Sequence, residues 1–155
     1  MSESVKKTYE ALKGKYQLPA FDAVNHEFEI SSFESDVFLL REIRRRITEK
    51  IEFFGSVLES LLQPDTASVA HMHEYRVLDD AKRKTLSSLY KDLMVLYRTA
   101  MIAECRLDEK EDASFIKSIM EKWPNLRKEM EKVFIQLKGS WITDDDVVDK
   151  LEYLG

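Results

Sequence analysis

The amino-acid sequence predicts an all-α protein: a single-domain, antiparallel helical bundle of six or seven helices, two of them long. Glycine and proline are rare, with only Gly55 in the stretch 31–62 and neither residue type in the stretch 68–106. In both stretches apolar residues recur at alternating spacings of three and four, as they do in amphipathic helices. No segment alternates in the way of a strand.

The chain of 155 residues is expected to form one domain with three regions. Residues 1–30 should form two short helices. Residues 31–107 should form a long helical hairpin core, and residues 112–155 the C-terminal helices.

The first helix should span about residues 4–16 and end near Gly14, because glycine commonly follows a helix. Pro19 then opens a second short helix, since proline is tolerated in a first turn. Its apolar residues recur at spacings of three and four: Phe21, Val24 and Phe28.

The third segment is the strongest helical prediction. Ser31 or Ser32 is expected to cap its N-terminus, because a serine hydroxyl can accept a hydrogen bond from a free backbone N–H there. A heptad seam follows, formed by Phe33, Val37, Leu40, Arg44, Ile47, Ile51, Phe54, Leu58 and Leu61. The turn-forming residues 63–66 should end the helix.

The fourth segment should begin near residues 65–68. Its densest seam contains Leu86, Leu89, Leu93, Leu96, Ala100, Ala103 and Leu107. The charged run at residues 79–84 interrupts the apolar pattern, so we expect two helices that meet near residue 80.

The C-terminal third begins with an acidic connector at residues 108–112. Apolar spacing then continues to Trp123, where Pro124 should start a new helix or kink the old one. Gly139 is expected to follow the end of that helix. Thr143 and the acidic residues after it should open a last helix, whose dipole favours negative charge at its start.

Composition narrows the possible functions. The net charge of −5 argues against non-specific nucleic-acid binding driven by overall charge. A single cysteine, Cys105, excludes an intramolecular disulfide and suits a reducing compartment, and we expect its thiol to be buried. We expect no signal peptide, membrane span or cofactor, and therefore a cytoplasmic protein.

Apolar residues outside the seams are candidates for contacts between chains. Phe38, Leu39 and Phe53 lie away from the seam of the third segment, where packing within the chain and packing against a second chain remain open. In the fourth segment a central core position is the favoured interpretation of the residues outside the seam: Met94, Val95, Met101 and Ile102. Bundles of this size commonly close as two-fold homodimers.

Arg44 is the only charged residue in the third seam, where losing water is costly for a cation. Its head group could extend to the edge of the bundle. Alternatively, it could pair with an acid on a neighbouring helix or chain and so set the register.

Basic residues form two clusters that could contact phosphates. The members considered are Arg41, Arg45, Arg46, Lys82, Arg83 and Lys84. A solvated face with ion pairs at spacings of three and four is favoured, because a helix spreads these residues around its circumference. The acidic block at residues 144–152 could dock on the first cluster, although capping of a terminal helix is the favoured interpretation.

Metal and catalytic patterns are weak. His71 and His73 would point about 200° apart on a helix and could not bind one ion together. Glu49 and Glu52 lie three residues apart, so both carboxylates could hold a metal ion in a metal-dependent hydrolase. However, no second acidic pair lies on a comparable helix. Four glycines cannot build a phosphate-binding loop.

The sequence thus predicts a non-catalytic helical interaction or scaffold protein. It would self-associate, as a dimer, or bind another helical protein through the apolar helix faces. The alternative is a nucleic-acid-associated subunit that uses the basic residues, and a metal-dependent hydrolase is a third, weaker possibility.

Overall fold

The computed structural model describes residues 2–143, and the all-α prediction is confirmed for them. The six α-helices are α1 (Ser2–Tyr16), α2 (Phe21–Phe28), α3 (Leu39–Leu62), α4 (Val69–Val77), α5 (Asp80–Arg106) and α6 (Glu109–Thr143). One 3₁₀ turn, Ile30–Ser32, follows α2, and no strand occurs within the described residues. Three helices are long rather than two.

The chain divides into two compact units. Of the described residues, unit 1 contains 2–52 and 95–124, and unit 2 contains 53–94 and 125–143. Helices α3, α5 and α6 each contribute one segment to unit 1 and one to unit 2. In unit 1, helices α1 and α2 and the 3₁₀ turn contact one another.

Side-chain caps begin the middle helices where the sequence predicts breaks. Ser68 accepts a hydrogen bond from the backbone N–H of His71 at 3.2 Å and caps α4. The Asp79 carboxylate accepts one from the N–H of Lys82 at 2.8 Å, directly before α5. The predicted end of α3 at residue 62 and the predicted break near residue 80 are therefore both correct.

The start of α3 was predicted wrongly. Ser31 and Ser32 lie in the 3₁₀ turn, and α3 begins only at Leu39. The serines make local bonds instead: the Ser32 hydroxyl donates to the Glu29 carbonyl at 2.7 Å, and Ser35 accepts from the Val37 N–H at 3.1 Å. Such local bonds compete with helix formation. The residues before Phe38 that were assigned to the seam, Phe33 and Val37, therefore lie outside α3.

Several helices end without the glycine that the sequence rules anticipate. Gln17, Glu29 and Leu107, which follow α1, α2 and α5, have φ angles of 57°, 52° and 51°, in the left-handed region that stops a helix. Phe38, directly before α3, has a φ angle of 51°. Gly14 lies inside α1 rather than at its end.

The C-terminal third is more continuous than the sequence predicts. Residues 109–112 belong to the first turn of α6, so the acidic connector shortens to Leu107 and Asp108. Pro124 and Gly139 both lie inside α6 and neither ends it. Thr143, predicted to cap a last helix, belongs to α6, and the acidic block that follows it falls outside the described residues.

Candidate interaction site

The interior of unit 1 contains a charged network centred on Arg44. The guanidinium is only 1% exposed, and its Nε donates to the Asp112 carboxylate at 2.6 Å. Its Nη1 lies 2.6 Å from a carboxylate oxygen of Glu104. Of the two interpretations of Arg44, pairing with acids of other helices is therefore confirmed and extension to the edge of the bundle is wrong.

Arg44 contacts two carboxylates: Glu104, which is partly exposed and which we call the outer carboxylate, and Asp112, which is buried and which we call the inner one. Hydrogen bonds from Arg45 and Arg44 hold the pKa of Glu104 at about 2. Burial raises the pKa of Asp112, although Arg44 acts in the opposite direction. Arg45 joins from the surface and bonds Glu104 at 2.7 Å and Glu42 at 2.9 Å. The network therefore ties α3, α5 and α6 of unit 1 together.

A second buried polar contact in unit 1 joins α2 and α6. The indole N–H of Trp123 donates to the Glu27 carboxylate at 3.0 Å, and the Trp123 ring packs against Phe28 with centroids 5.1 Å apart. Both Trp123 and Glu27 are buried. The contact positions the helices and exposes no reactive group.

The three apolar residues considered for contacts between chains, Phe38, Leu39 and Phe53, differ in their exposure to solvent. Leu39 is 1% exposed and belongs to the interior, so it is not available to a partner. Phe38 is 63% exposed in unit 1, directly before α3, with the Arg41 guanidinium 4.4 Å from its ring centroid. Phe53 is 56% exposed in unit 2.

Phe53 belongs to an exposed aromatic patch of unit 2, which we define as Phe53, Phe54, Phe134 and Ile135. The ring centroids of Phe53 and Phe134 lie 6.3 Å apart in a stacked arrangement, and Phe54 packs beside both. Ile135 is 63% exposed. A shallow cavity of about 410 Å³ lies against the patch, with Arg127, Glu131 and Lys138 around it. Exposed apolar surface bordered by charge is typical of a protein contact site.

Two apolar residues of α5 that the favoured interpretation placed in the core are exposed instead. Val95 and Ile102 are 59% and 52% exposed and line a surface groove of unit 1. Cys105, expected to be buried, is exposed as well. Helical periodicity identifies an apolar face, but it does not show whether a partner covers that face.

The basic residues of unit 1 have other contacts. Arg45 is paired with carboxylates, and Arg46 donates to the Phe28 carbonyl at 3.2 Å and lies over the Phe33 ring. Arg41 lies over Phe38.

In unit 2, Arg83 lies over the Tyr75 ring, bonds the Tyr75 carbonyl at 2.9 Å and pairs with Asp80. Lys82 and Lys84 are exposed. The arginine contacts favour a structural role over contact with phosphates.

The groups considered for metal binding are dispersed. Within residues 2–143, no three histidine, cysteine or carboxylate side chains lie close enough to share an ion. His73 is buried beside Ser140, with 3.2 Å between Nε2 and Oγ, while the Nδ1 of His71 accepts from the Asp65 N–H. Glu52 accepts a hydrogen bond from the Tyr97 hydroxyl at 2.9 Å.

Comparison with known proteins assigns neither a family nor a function to the chain. No protein family matches the chain, and no curated protein or solved structure resembles it. None of the helices between residues 2 and 143 combines the length and the apolarity needed to cross a bilayer. The function must therefore be argued from the exposed surfaces.

Proposed function

We propose that the chain is a non-catalytic helical interaction protein that binds a second copy of itself, or another helical protein, through the aromatic patch. The observation that carries this proposal is the stack of the exposed Phe53 ring on the half-buried Phe134 ring, with the exposed Ile135 next in sequence to Phe134. Water contact with such rings is unfavourable, and aromatic residues are enriched at the centres of protein interfaces.

We place the protein in the cytoplasm, because its single exposed thiol suits a reducing compartment.

The charged residues beside the aromatic patch support specificity. Arg127, Glu131 and Lys138 border the cavity and offer both signs of charge to a partner. Charges at the edge of an interface select orientation and partner more than they add affinity. An apolar helix with complementary charges is therefore the expected occupant.

The test is the solution mass of the wild type and of Phe53→Ser and Phe38→Ser variants, measured by light scattering over a range of concentrations. We expect the wild type to self-associate, to a mass near twice 18.2 kDa where the aromatic patch is the single contact between copies. The Phe53 substitution should dissociate the dimer, because truncating a central aromatic residue commonly costs more than about 2 kcal/mol of binding energy.

Circular dichroism of the same variants provides the control. Phe38 and Phe53 are exposed, so their substitution should leave the helical content unchanged. Loss of helix in Phe53→Ser would place that ring in the folding core. An unchanged dimer in a folded Phe53→Ser variant would exclude the aromatic patch as the contact between copies.

A further inference from the structure

We propose that the surface groove between α5 and α6 in unit 1 is a contact between two copies of this chain related by a two-fold axis. The proposal goes beyond the function above, because it concerns a different surface, in the other unit, and names its occupant. It rests on the shape of the groove, on the apolar residues at its edge and on the charges at its two ends.

The groove has a volume of about 530 Å³ and two helical walls. Its lining runs on α5 from Val95 to Arg106 and on α6 from Glu111 to Lys122. At about 1.5 Å per residue, each wall is about 16 Å long, or three helical turns. The two-residue connection between α5 and α6 puts Arg106 and Glu111 at one end, which we call the turn end. Val95 and Lys122 lie at the far end.

An uncovered apolar stripe borders the groove. Val95 and Ile102 are more than half exposed and lie seven residues apart, so they share one face of α5. Phe115 and Leu96, both buried, form the floor between the walls. A stripe of this spacing above an apolar floor fits the apolar face of another helix.

The charged side chains at the two ends of the groove differ: the turn end carries Arg106 and Glu111, and the far end carries Lys122. Lys122, at the far end, makes no ion pair with any residue that the structure describes, whereas Glu111, at the turn end, pairs with Arg106 at 2.9 Å. A two-fold axis through the middle of the groove places the far end of one copy on the turn end of the other. Lys122 of each copy then approaches Glu111 of the second copy, and Val95 approaches Ile102.

The middle of the groove suits this arrangement as well. Thr99 on α5 and Ser114 and Ser118 on α6 line it with small side chains. Two pairs of helices can therefore approach closely where the axis passes, because helix separation depends on the side chains at the contact. The groove therefore has small residues in the middle, apolar residues on either side and, at one end, a lysine that can reach the Glu111 carboxylate at the other end of a second copy. An isologous contact requires a surface of this kind, which can face itself.

The first experiment compares the solution mass of one double variant and two single variants with that of the wild type. The variant Val95→Asp with Ile102→Asp alters the groove, and Phe53→Asp alters the aromatic patch. Ile142→Asp changes a more exposed isoleucine that lies outside both surfaces. We expect the groove variant to raise the dimer Kd at least about 100-fold, because a two-fold contact loses each side chain twice. Ile142→Asp should change nothing, and circular dichroism should show all variants folded.

The outcomes separate this proposal from the proposed function. Dissociation by the groove variant alone supports the groove and excludes the aromatic patch as a contact between copies; dissociation by Phe53→Asp alone does the reverse. A wild-type assembly larger than a dimer, which each variant reduces to a dimer, supports both surfaces. A wild-type dimer that both variants dissociate overturns the groove-to-groove contact, because both surfaces would then belong to one interface. A wild type that stays monomeric overturns the groove contact and, for the aromatic patch, leaves only another helical protein as the partner.

A charge exchange tests the pairing of the two ends directly. Lys122→Glu and Glu111→Lys each place like charges opposite one another in a homodimer, so each variant alone should dimerise more weakly than the wild type. Mixed in equal amounts at low salt, the two variants should form a heterodimer, because both contacts then join opposite charges. If the mixture associates no better than either variant alone, the proposed pairing of Lys122 with Glu111 is wrong.

Cys105 reports the direction of the two copies, because it is the only cysteine and is exposed at the turn end of α5. A spin label there should give a separation between copies of at least roughly 20 Å, since the two-fold axis puts the turn ends on opposite sides of the contact. Labels in direct contact would mean that the turn ends meet, which overturns the proposed orientation.

Discussion

The interiors of the two units use different polar chemistry. Unit 1 buries three charged residues, Glu27, Arg44 and Asp112, whereas the buried polar residues described for unit 2 are His73 and Ser140. In unit 1 an ion pair joins residues 68 positions apart in the sequence. In unit 2 an imidazole meets a hydroxyl.

The difference shows how each interior resists rearrangement. A buried cation requires its carboxylate at one place, so another packing of α3 against α6 in unit 1 would strand both charges. A histidine–serine contact is short-ranged and less costly to lose. We therefore expect the polar contacts of unit 1 to be worth more, when one partner is removed, than those of unit 2.

The largest effect is expected from Arg44→Ala. The substitution leaves the Asp112 carboxylate, itself 2% exposed, without its main cation. Breaking a buried pair in this way costs about 3–5 kcal/mol. The free energy of unfolding, from urea titrations followed by circular dichroism, measures the loss.

Two further variants sharpen the interpretation of Arg44→Ala. Arg45→Ala removes the neighbouring arginine, whose ion pairs are exposed, and should cost at most about 1 kcal/mol. The double variant Arg44→Met with Asp112→Leu removes both charges and should lose much less stability than Arg44→Ala. Equal losses for Arg44→Ala and Arg45→Ala would show that burial does not set the value of the pair.

A smaller effect is expected from Ser140→Ala in unit 2. The Ser140 hydroxyl has one hydrogen, which it donates to the Leu137 carbonyl at 2.7 Å, so it accepts from Nε2–H of His73. The alanine variant leaves that buried N–H without its acceptor, at a cost of about 1–3 kcal/mol.

The matched control is Ser56→Ala. Its hydroxyl makes the same kind of bond, to the Phe53 carbonyl three residues earlier, but it is exposed. Thermal or urea unfolding should therefore show little change for Ser56→Ala. A loss for Ser140→Ala as large as that for Arg44→Ala would remove the contrast between the two units.

The local parts of the fold could be predicted from the sequence. Ser68 and the charged run near residue 80 mark helix boundaries through short-range capping, and the apolar spacing identifies the helices between them. The left-handed residues could not be predicted, because Phe38 and Leu107 belong to types that rarely adopt positive φ. Pro124 was predicted either to start a new helix or to kink the old one, and the structure places it inside α6. The sequence could not decide between the two, since tertiary packing can override the preference of proline for helix starts.

The candidate surfaces were only partly predictable. The seam left two interpretations of Arg44 open, extension to the edge of the bundle and pairing with an acid. It could not identify Asp112 as the acid, since Asp112 lies far away in the sequence. Phe53 was recognised as lying outside the seam, whereas Phe134, its stacking partner, carried no signal that linked the two. Val95 and Ile102 were assigned to the core because apolar character alone does not distinguish a covered face from an exposed one.

The smallest effect is expected from Glu104, the outer carboxylate of the unit 1 network, on the stability of the folded chain at acidic pH. The pKa of Glu104 is about 2 in the folded chain, against an ordinary value of 4.5, so the unfolded chain binds more protons between these values. The carboxylate therefore contributes stability above about pH 4.5, and this contribution is lost as the pH falls towards 2. Because Glu104 is 37% exposed, solvent screening keeps the contribution below that of Arg44.

Glu104→Gln should thus be less stable than the wild type near neutral pH, with the difference shrinking as the pH falls from 4.5 to 2. Asp112 acts in the opposite direction, because its raised pKa makes the folded chain hold the extra proton, and it remains in both proteins. Urea titrations at a series of pH values measure the difference, and Glu59→Gln, which removes an exposed carboxylate of unit 2, controls for the change in net charge. A stability difference for Glu104→Gln that does not change with pH would mean that the ionised form of Glu104 is not what holds the outer part of the network.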